Sequence, residues 1–234
     1  MSSGALERAV DDVCAAIEFV EYRTHDWTTM SEDELWRELV GCILGSRVRF
    51  EVAETALIDL KRHGLLRHPS RAMRFDRHEK AIYRSLVSQS PQATGTRRSY
   101  PFPRSRALQV RRAAEYFAAR HRSVGSVLRK ARDFPSARRQ LVLEVSGLGP
   151  KQASLFLRNV GYTASLAVLD VHVLTYMEWL GLLDSPLRSV PSLRRYEAIE
   201  SVFVDYAKSR GHLPETFDIA VWVVVRVLKR RLHS

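Results

Sequence analysis

The sequence predicts an all-α protein folded as two helical lobes, and three observations carry that expectation. Apolar residues recur at spacings of three and four along most of the chain. Alternating apolar and polar stretches are nearly absent. One Pro/Gly/Ser/Thr-rich break, QSPQATGTRRSYPFP at 89–103, interrupts the helical pattern and reads as an exposed loop. Leu6, Val10, Val13, Ile17 and Val20 share one face of a first helix. Ser31, with Glu34 three residues on, has the form of a capping box opening a second helix through WRELVGCILGS. Residues 51–64 end in a glycine suited to a helix C-terminus. Further helical patterns fall at roughly 77–88, 104–120, 123–132, 136–145, 151–160, 171–180, 192–209 and 216–231. The one candidate strand is ASLAVLD at 164–170. The expected lobes are residues 1–100 and 101–215, with the helix at 216–231 packing on the first and a ligand cleft between the two.

Composition narrows the class of function. With 234 residues, 45% of them apolar, the chain can bury a substantial core. Lys and Arg number 37 against 26 Asp and Glu, a net charge of +11. Such an excess favours a polyanionic partner, because each cation placed at a phosphate releases a condensed counterion. A well-solvated arginine-rich surface accounts for the charge equally well. Cys14 and Cys42 lie among apolar residues at helical spacing and read as small buried hydrophobes. Two cysteines cannot supply the four thiolates of an iron–sulfur cluster. His63, His68, His78 and His121 sit in polar, exposed-looking contexts without ligand spacing, so no metal catalysis and no cofactor are expected, an alkali ion held by hairpin carbonyls being left open. The start, MSSGALERAVDD, lacks a basic-then-apolar signal pattern, and no apolar run reaches membrane-spanning length. The expectation is a soluble monomer of the cytoplasm or nucleoid.

The most informative stretch is LVLEVSGLGPKQASLFLRNVGY at 141–162. A helix ending near Val145 meets Ser146-Gly147-Leu148-Gly149-Pro150, and a second helix starts at Pro150 or Lys151. Gly147 and Gly149 allow a tight turn and a close backbone approach, with Leu148 tucked between the helices. Pro150 suits a first helical position. The free amides of this hairpin and helix start suit a phosphate. Glycines between helices are common in purely structural turns, so the fragment alone does not decide. Lys151 and what stands nineteen residues beyond it, Asp170, tip the balance.

Gly147-Leu148-Gly149-Pro150-Lys151 followed by Leu169-Asp170-Val171-His172 resembles the signature of the helix-hairpin-helix DNA glycosylase superfamily. KQASLFLRNVGY is similar to the second and archaeal branches of the oxoguanine glycosylases. ELWRELVGCILGSR at 34–47, YPFPRSRA at 100–107 and FDIAVW at 217–222 resemble further family segments, in the family's order. The resemblance implies double-stranded DNA with a modified base as partner, and a bifunctional enzyme. Lys151 would attack the deoxyribose C1′ and expel the damaged base. The resulting Schiff base would permit β-elimination, which nicks the strand. That chemistry needs a neutral amine, which burial in an apolar, cation-rich cleft would favour. Asp170 would stabilise the oxocarbenium-like charge. Gly147, Leu148 and Gly149, with His172, Arg104 and Arg106, are the expected DNA contacts; Arg97, Arg98, Arg111 and Arg112 lie in further basic segments.

Excision requires the target base to leave the stack for a pocket. By motif match, Phe102 and Trp222 would sandwich it and Asp218 would bond its edge, although Trp222 in IAVWVVVRVL is equally placed to be a core aromatic. Two segments depart from the family: the tail from Lys229 to Ser234, and Gly45-Ser46-Arg47. Both bear on which base is excised, with 8-oxoguanine the leading substrate. The alternatives are the same chemistry on another modified base, a noncatalytic DNA-binding hairpin protein, and a helical interaction scaffold.

Overall fold

The computed structural model describes residues 3–19, 25–88, 100–119 and 122–232. Among these residues there are eleven helices and no strand. They are α1 (Ser3–Phe19), α2 (Glu32–Leu44), α3 (Phe50–Arg62), α4 (Phe75–Val87), α5 (Pro103–Ala119) and α6 (Val124–Lys130). Then follow α7 (Phe134–Glu144), α8 (Pro150–Asn159), α9 (Val171–Trp179), α10 (Leu193–Ser209) and α11 (Pro214–Leu232). The capping box at Ser31 is formed: its hydroxyl accepts the Glu34 amide at 3.3 Å and the Glu34 carboxylate accepts the Ser31 amide at 2.8 Å. Ser123 with Ser126, and Asp133 with Ser136, start α6 and α7 in the same reciprocal way.

The chain divides into two compact units, residues 26–160 and residues 1–25 with 161–234. This differs from a division near residue 100. Helices α4 and α5 flank the Pro/Gly-rich break and pack on each other, so the break lies inside one unit. Residues 89–99 themselves, with Arg97 and Arg98, lie outside the described residues, as do His121 and the last two of the tail.

The 26–160 unit is built around α2, whose Leu35, Trp36, Leu39, Val40, Ile43 and Leu44 are all buried, against α3, α5, α6 and α8. The other unit packs α11 along α1 and α9. There Leu6, Val10 and Cys14 of α1 share a core with Tyr176, Phe203, Phe217 and Val221. Each unit holds one of the two cysteines, buried and free. Among the described residues, no helix is long and apolar enough to cross a membrane, and no group of three or more His, Cys, Asp or Glu is placed to hold a metal.

The candidate strand at 164–170 is a buried irregular segment, and its backbone donors explain why. The Ala167 amide goes to Glu200 Oε1 (3.2 Å), Val168 to Asp218 Oδ2 (2.6 Å) and Leu169 to the Tyr196 hydroxyl (3.0 Å). Tyr196 in turn donates to the Ala167 carbonyl at 3.1 Å. Side chains take the bonds that a neighbouring strand would otherwise make. The apolar run from Leu166 through Leu169 reflects burial and not sheet pairing.

Candidate active site

The hairpin lies between α7 and α8, in the 26–160 unit. Gly147 has φ of +95°, and a Cβ there would stand 3.0 Å from Ile43 Cγ2 and 3.2 Å from Gln109. Only glycine fits, on conformational and steric grounds alike. Leu148 is buried. Gly149 is different: its backbone is extended, and open space surrounds the place a Cβ would take. As the N-cap of α8 it gives the helix start no side-chain cap. Pro150 occupies the first position, and Lys151, half-buried, stands directly after it. The next residue, Gln152, is buried and donates from Nε2 to the Cys42 carbonyl at 2.6 Å, and Asn159 at the far end of α8 donates to Glu38 at 2.7 Å. Arg138, buried in α7, bonds Ser154 at 3.1 Å. Helix α8 is thus pinned to α2 and α7 from the residue after Lys151 to its far end. Burial, with the Glu38 carboxylate adding to it, pushes the Cys42 thiol well above the usual range.

Arg106 is not available to DNA in the way its motif suggests. It is 7% exposed; its Nη1 donates to Gln109 at 2.6 Å and its Nη2 to the Ser46 carbonyl at 2.5 Å. Its guanidinium also covers the Phe102 ring at 5.5 Å. Gln109 is the side chain against Gly147, so Arg106 buttresses the hairpin from behind. The Tyr100 hydroxyl caps the Leu44 carbonyl at 2.5 Å, so two side chains (Gln152 and Tyr100) satisfy carbonyls at the end of α2 and Arg106 satisfies that of Ser46 just beyond it. Burial drives the Tyr100 phenol up to about 12, which keeps it a donor. Phe102 remains 40% exposed, and Arg104 is exposed, its guanidinium 5.9 Å from the Tyr83 ring centre. Arg111 is held by Asp76, Glu79 and Glu115, a surface ion network that leaves it little to offer a phosphate. Arg47, in one of the departing segments, has φ of +60°, unusual for a side chain other than glycine or asparagine.

Asp170 belongs to the other unit. The buried 166–169 segment delivers it to the start of α9, where it is the N-cap. Its Oδ1 accepts the amides of His172 (2.8 Å) and Val173 (2.9 Å), while Oδ2 accepts no hydrogen bond among the described residues. The cap therefore uses one of the two carboxylate oxygens. His172 follows in the first turn, its ring perpendicular to that of Trp222 with centres 6.3 Å apart. Trp222 is half-buried and is not a core aromatic; the Arg226 guanidinium lies 4.6 Å from its ring centre. Lys229 donates to Thr175 at 2.9 Å, and burial, aided by Arg188 and opposed by Asp170 and Glu178, holds its ammonium below the ordinary lysine range.

Asp218 departs from expectation most. It is 2% exposed and binds the Val168 amide, so it fixes the segment that carries Asp170 and has no open edge for a base. Glu200 and Tyr196, which the motif comparison passed over, share that task. A buried glutamate position on α10 (Tyr196 to Glu200 is one helical turn) was the available signal. His68 and His78 are also less exposed than their sequence contexts suggest: His78 bonds the Leu65 carbonyl at 2.9 Å and His68 packs edge-on to Trp36.

A helix-hairpin-helix with a lysine at the start of its second helix, and an aspartate capping a later one, defines a DNA glycosylase of the helix-hairpin-helix class. The family model for 8-oxoguanine DNA glycosylase matches residues 17–212, and the chain belongs to that family. It is 31% identical over 195 residues to the 8-oxoguanine DNA glycosylase/AP lyase of Metallosphaera sedula, covering 82% of each chain. To the protein of the same name from Korarchaeum cryptofilum it is 27% identical over 208 residues, covering 88% of each. Its fold is similar to the crystal structure of the Thermotoga maritima 8-oxoguanine DNA glycosylase (TM-score 0.70, 24% identity, 95% of each chain). It is similar also to that of the Methanocaldococcus jannaschii 8-oxoguanine glycosylase/lyase in complex with a 15mer DNA containing 8-oxoguanine. There the TM-score is 0.65 at 21% identity, over 94% of this chain and 88% of that one.

Proposed function

We infer that this protein is a base-excision repair enzyme, a DNA N-glycosylase with AP-lyase activity, that removes 8-oxoguanine from duplex DNA. The observation that carries the reading is the rigid hairpin that sets Lys151 at the uncapped start of α8. The chemistry makes two demands. A nucleophilic lysine must present a neutral amine when it reacts, and the site must place that amine. Gln152, Arg138 and the bulk of Ile43 against Gly147 fix the turn that bears it.

In the reaction, the Lys151 nitrogen forms a bond to C1′ as the glycosidic bond breaks, and the base departs with the electron pair and acquires a proton. Ring opening gives the Schiff base; loss of a C2′ proton then expels the 3′ phosphate and nicks the strand. Asp170 is the carboxylate that stabilises cationic charge on the sugar, using Oδ2 while Oδ1 stays engaged in the cap. Gly149, with open space around it at the start of α8, brings backbone to a DNA phosphate, while buried Leu148 anchors the turn. Trp222 and Phe102 supply aromatic faces for the extruded base. The protein acts as a monomer and needs no cofactor.

The deciding test is reduction with borohydride during turnover on duplexes carrying 8-oxoguanine, other modified bases or an abasic site. A covalent protein–DNA adduct on the 8-oxoguanine duplex supports the reading. Adduct on another base alone changes the substrate; no adduct on any duplex leaves only a DNA-binding hairpin protein.

A further inference from the structure

Helix α11 presents Asp218, Trp222, Arg226 and Lys229 at spacings of four, four and three, a single stripe within about a quarter-turn of the helix. Three of the four contact the stretch around Asp170: Asp218 the Val168 amide, Trp222 the His172 ring, Lys229 the Thr175 hydroxyl. Arg226 contacts the stripe itself. Its guanidinium lies 4.6 Å from the Trp222 ring centre, well inside the 5.5 Å of Arg106 over Phe102. The indole is therefore held by a cation on its face and by an imidazole at right angles to it, with ring planes at 90°. An ordinary surface pair of arginine and tryptophan one turn apart would have no such third member.

A stacking platform contributes most when its plane is set before the base arrives, because ordering it at that moment costs the rotamer freedom of the indole. The contact in place to hold the half-buried indole is the guanidinium 4.6 Å from its ring centre, with the His172 ring perpendicular to it. We propose that Arg226 is a positioning residue for base excision, which holds the Trp222 indole against His172 in the orientation that receives the extruded base. The inference rests on the reading of Trp222 as that platform. It separates the two activities of the enzyme. Removal of a base depends on the platform, whereas nicking at an abasic site, where there is no base to stack, does not.

Single-turnover rates on an 8-oxoguanine duplex and on the same duplex with an abasic site, for the unmodified protein, Arg226→Ala, Arg226→Lys and Trp222→Ala, test it. Arg226→Ala is expected to slow excision roughly five- to thirtyfold, the range a partly desolvated cation–π contact supports, with nicking at the abasic site within about twofold. Arg226→Lys, which keeps the cation and folds with the same helix, should recover part of that loss. In ¹⁵N-labelled protein the indole N–H resonance of Trp222, identified by its disappearance in Trp222→Phe, should shift in Arg226→Ala and move back in Arg226→Lys. Equal losses of excision and nicking would make Arg226 a phosphate contact and overturn the proposal, as would an unmoved Trp222 resonance. Normal excision by Arg226→Ala beside slowed excision by Trp222→Ala overturns the Arg226 inference alone. Normal excision by Trp222→Ala overturns the platform reading, and the role of Arg226 with it.

Discussion

The side chain of Gln152 reaches back from the residue after Lys151 to the carbonyl of Cys42, 2.6 Å away and wholly shielded from water. One bond thereby fixes the first turn of α8 to the last turn of α2. Gly147 wedged on Ile43 adds a second link between the same pair of regions, and Arg106 of α5 fixes the stretch just after α2 through the Ser46 carbonyl. The hairpin is rigid because its neighbours spend polar groups on it.

Gln152→Leu should expose that economy. The replacement is close in volume but leaves the Cys42 carbonyl buried without a donor, a loss of about 1–3 kcal/mol. For a chain of this size that lowers the melting temperature by about 2–12 °C. Lys151 keeps its identity but loses its anchor, so borohydride trapping should slow while duplex binding holds. A variant with unchanged melting and unchanged trapping would show the contact to be incidental.

Asp218→Ala should act on folding and not on choice of base. It would strand the buried Val168 amide, again about 1–3 kcal/mol, and loosen the segment that sets Asp170 at the start of α9. The expected result is a lower melting temperature with the same ratio of rates across a panel of modified bases. A changed ratio at unchanged melting temperature would return Asp218 to the base pocket.

What was legible in the sequence, and what was not, follows the range of the forces involved. Helices were legible because their determinants are local: the Ser31–Glu34 box and the stripe Leu6, Val10 and Ile17 of α1 need only near neighbours. The hairpin was legible because glycine at 147 permits a positive φ and proline at 150 fixes φ at a helix start, wherever in a chain they occur. Asp218 was misread because its partner lies fifty residues away, and nothing near FDIAVW records that the Val168 amide needs an acceptor. Arg106 was misread likewise: an arginine in a basic segment looks solvent-facing until Ser46 and Gln109 are placed beside it. The division into units was hidden for the same reason, since the pairing of α1 with α11 joins the two ends of the described chain.

With Arg106 and Arg111 engaged internally, phosphate contacts fall to fewer cations than the net charge of +11 suggests. Duplex affinity should still fall linearly on a log–log plot against salt, with a slope near 0.9 per phosphate contacted. Arg104→Ala, an exposed residue, should reduce the slope by about one, and Arg106→Ala should instead lower stability. Equal slopes in the unmodified protein and Arg104→Ala would remove Arg104 from the interface.

Lys151 and Asp170 separate most clearly, because Asp170 caps α9 through Oδ1 alone while its proposed role in excision needs only its negative charge. Lys151→Gln should abolish both the trapped adduct and strand nicking, and should leave lesion-DNA binding largely intact, since one cation among many is lost. Asp170→Asn retains an Oδ1 that accepts the His172 and Val173 amides, so the α9 cap and the melting temperature should survive. What disappears is the negative charge, and excision should slow on the order of a hundredfold or more. Asp170→Ala removes cap and charge together, so it should show the same slowing with an added loss of about 1 kcal/mol in stability. If Asp170→Asn reacts at the unmodified rate and only Asp170→Ala is impaired, the residue is a helix cap and nothing more. If Lys151→Gln still forms the borohydride adduct, another amine is the nucleophile, and sequencing the trapped peptide would identify it.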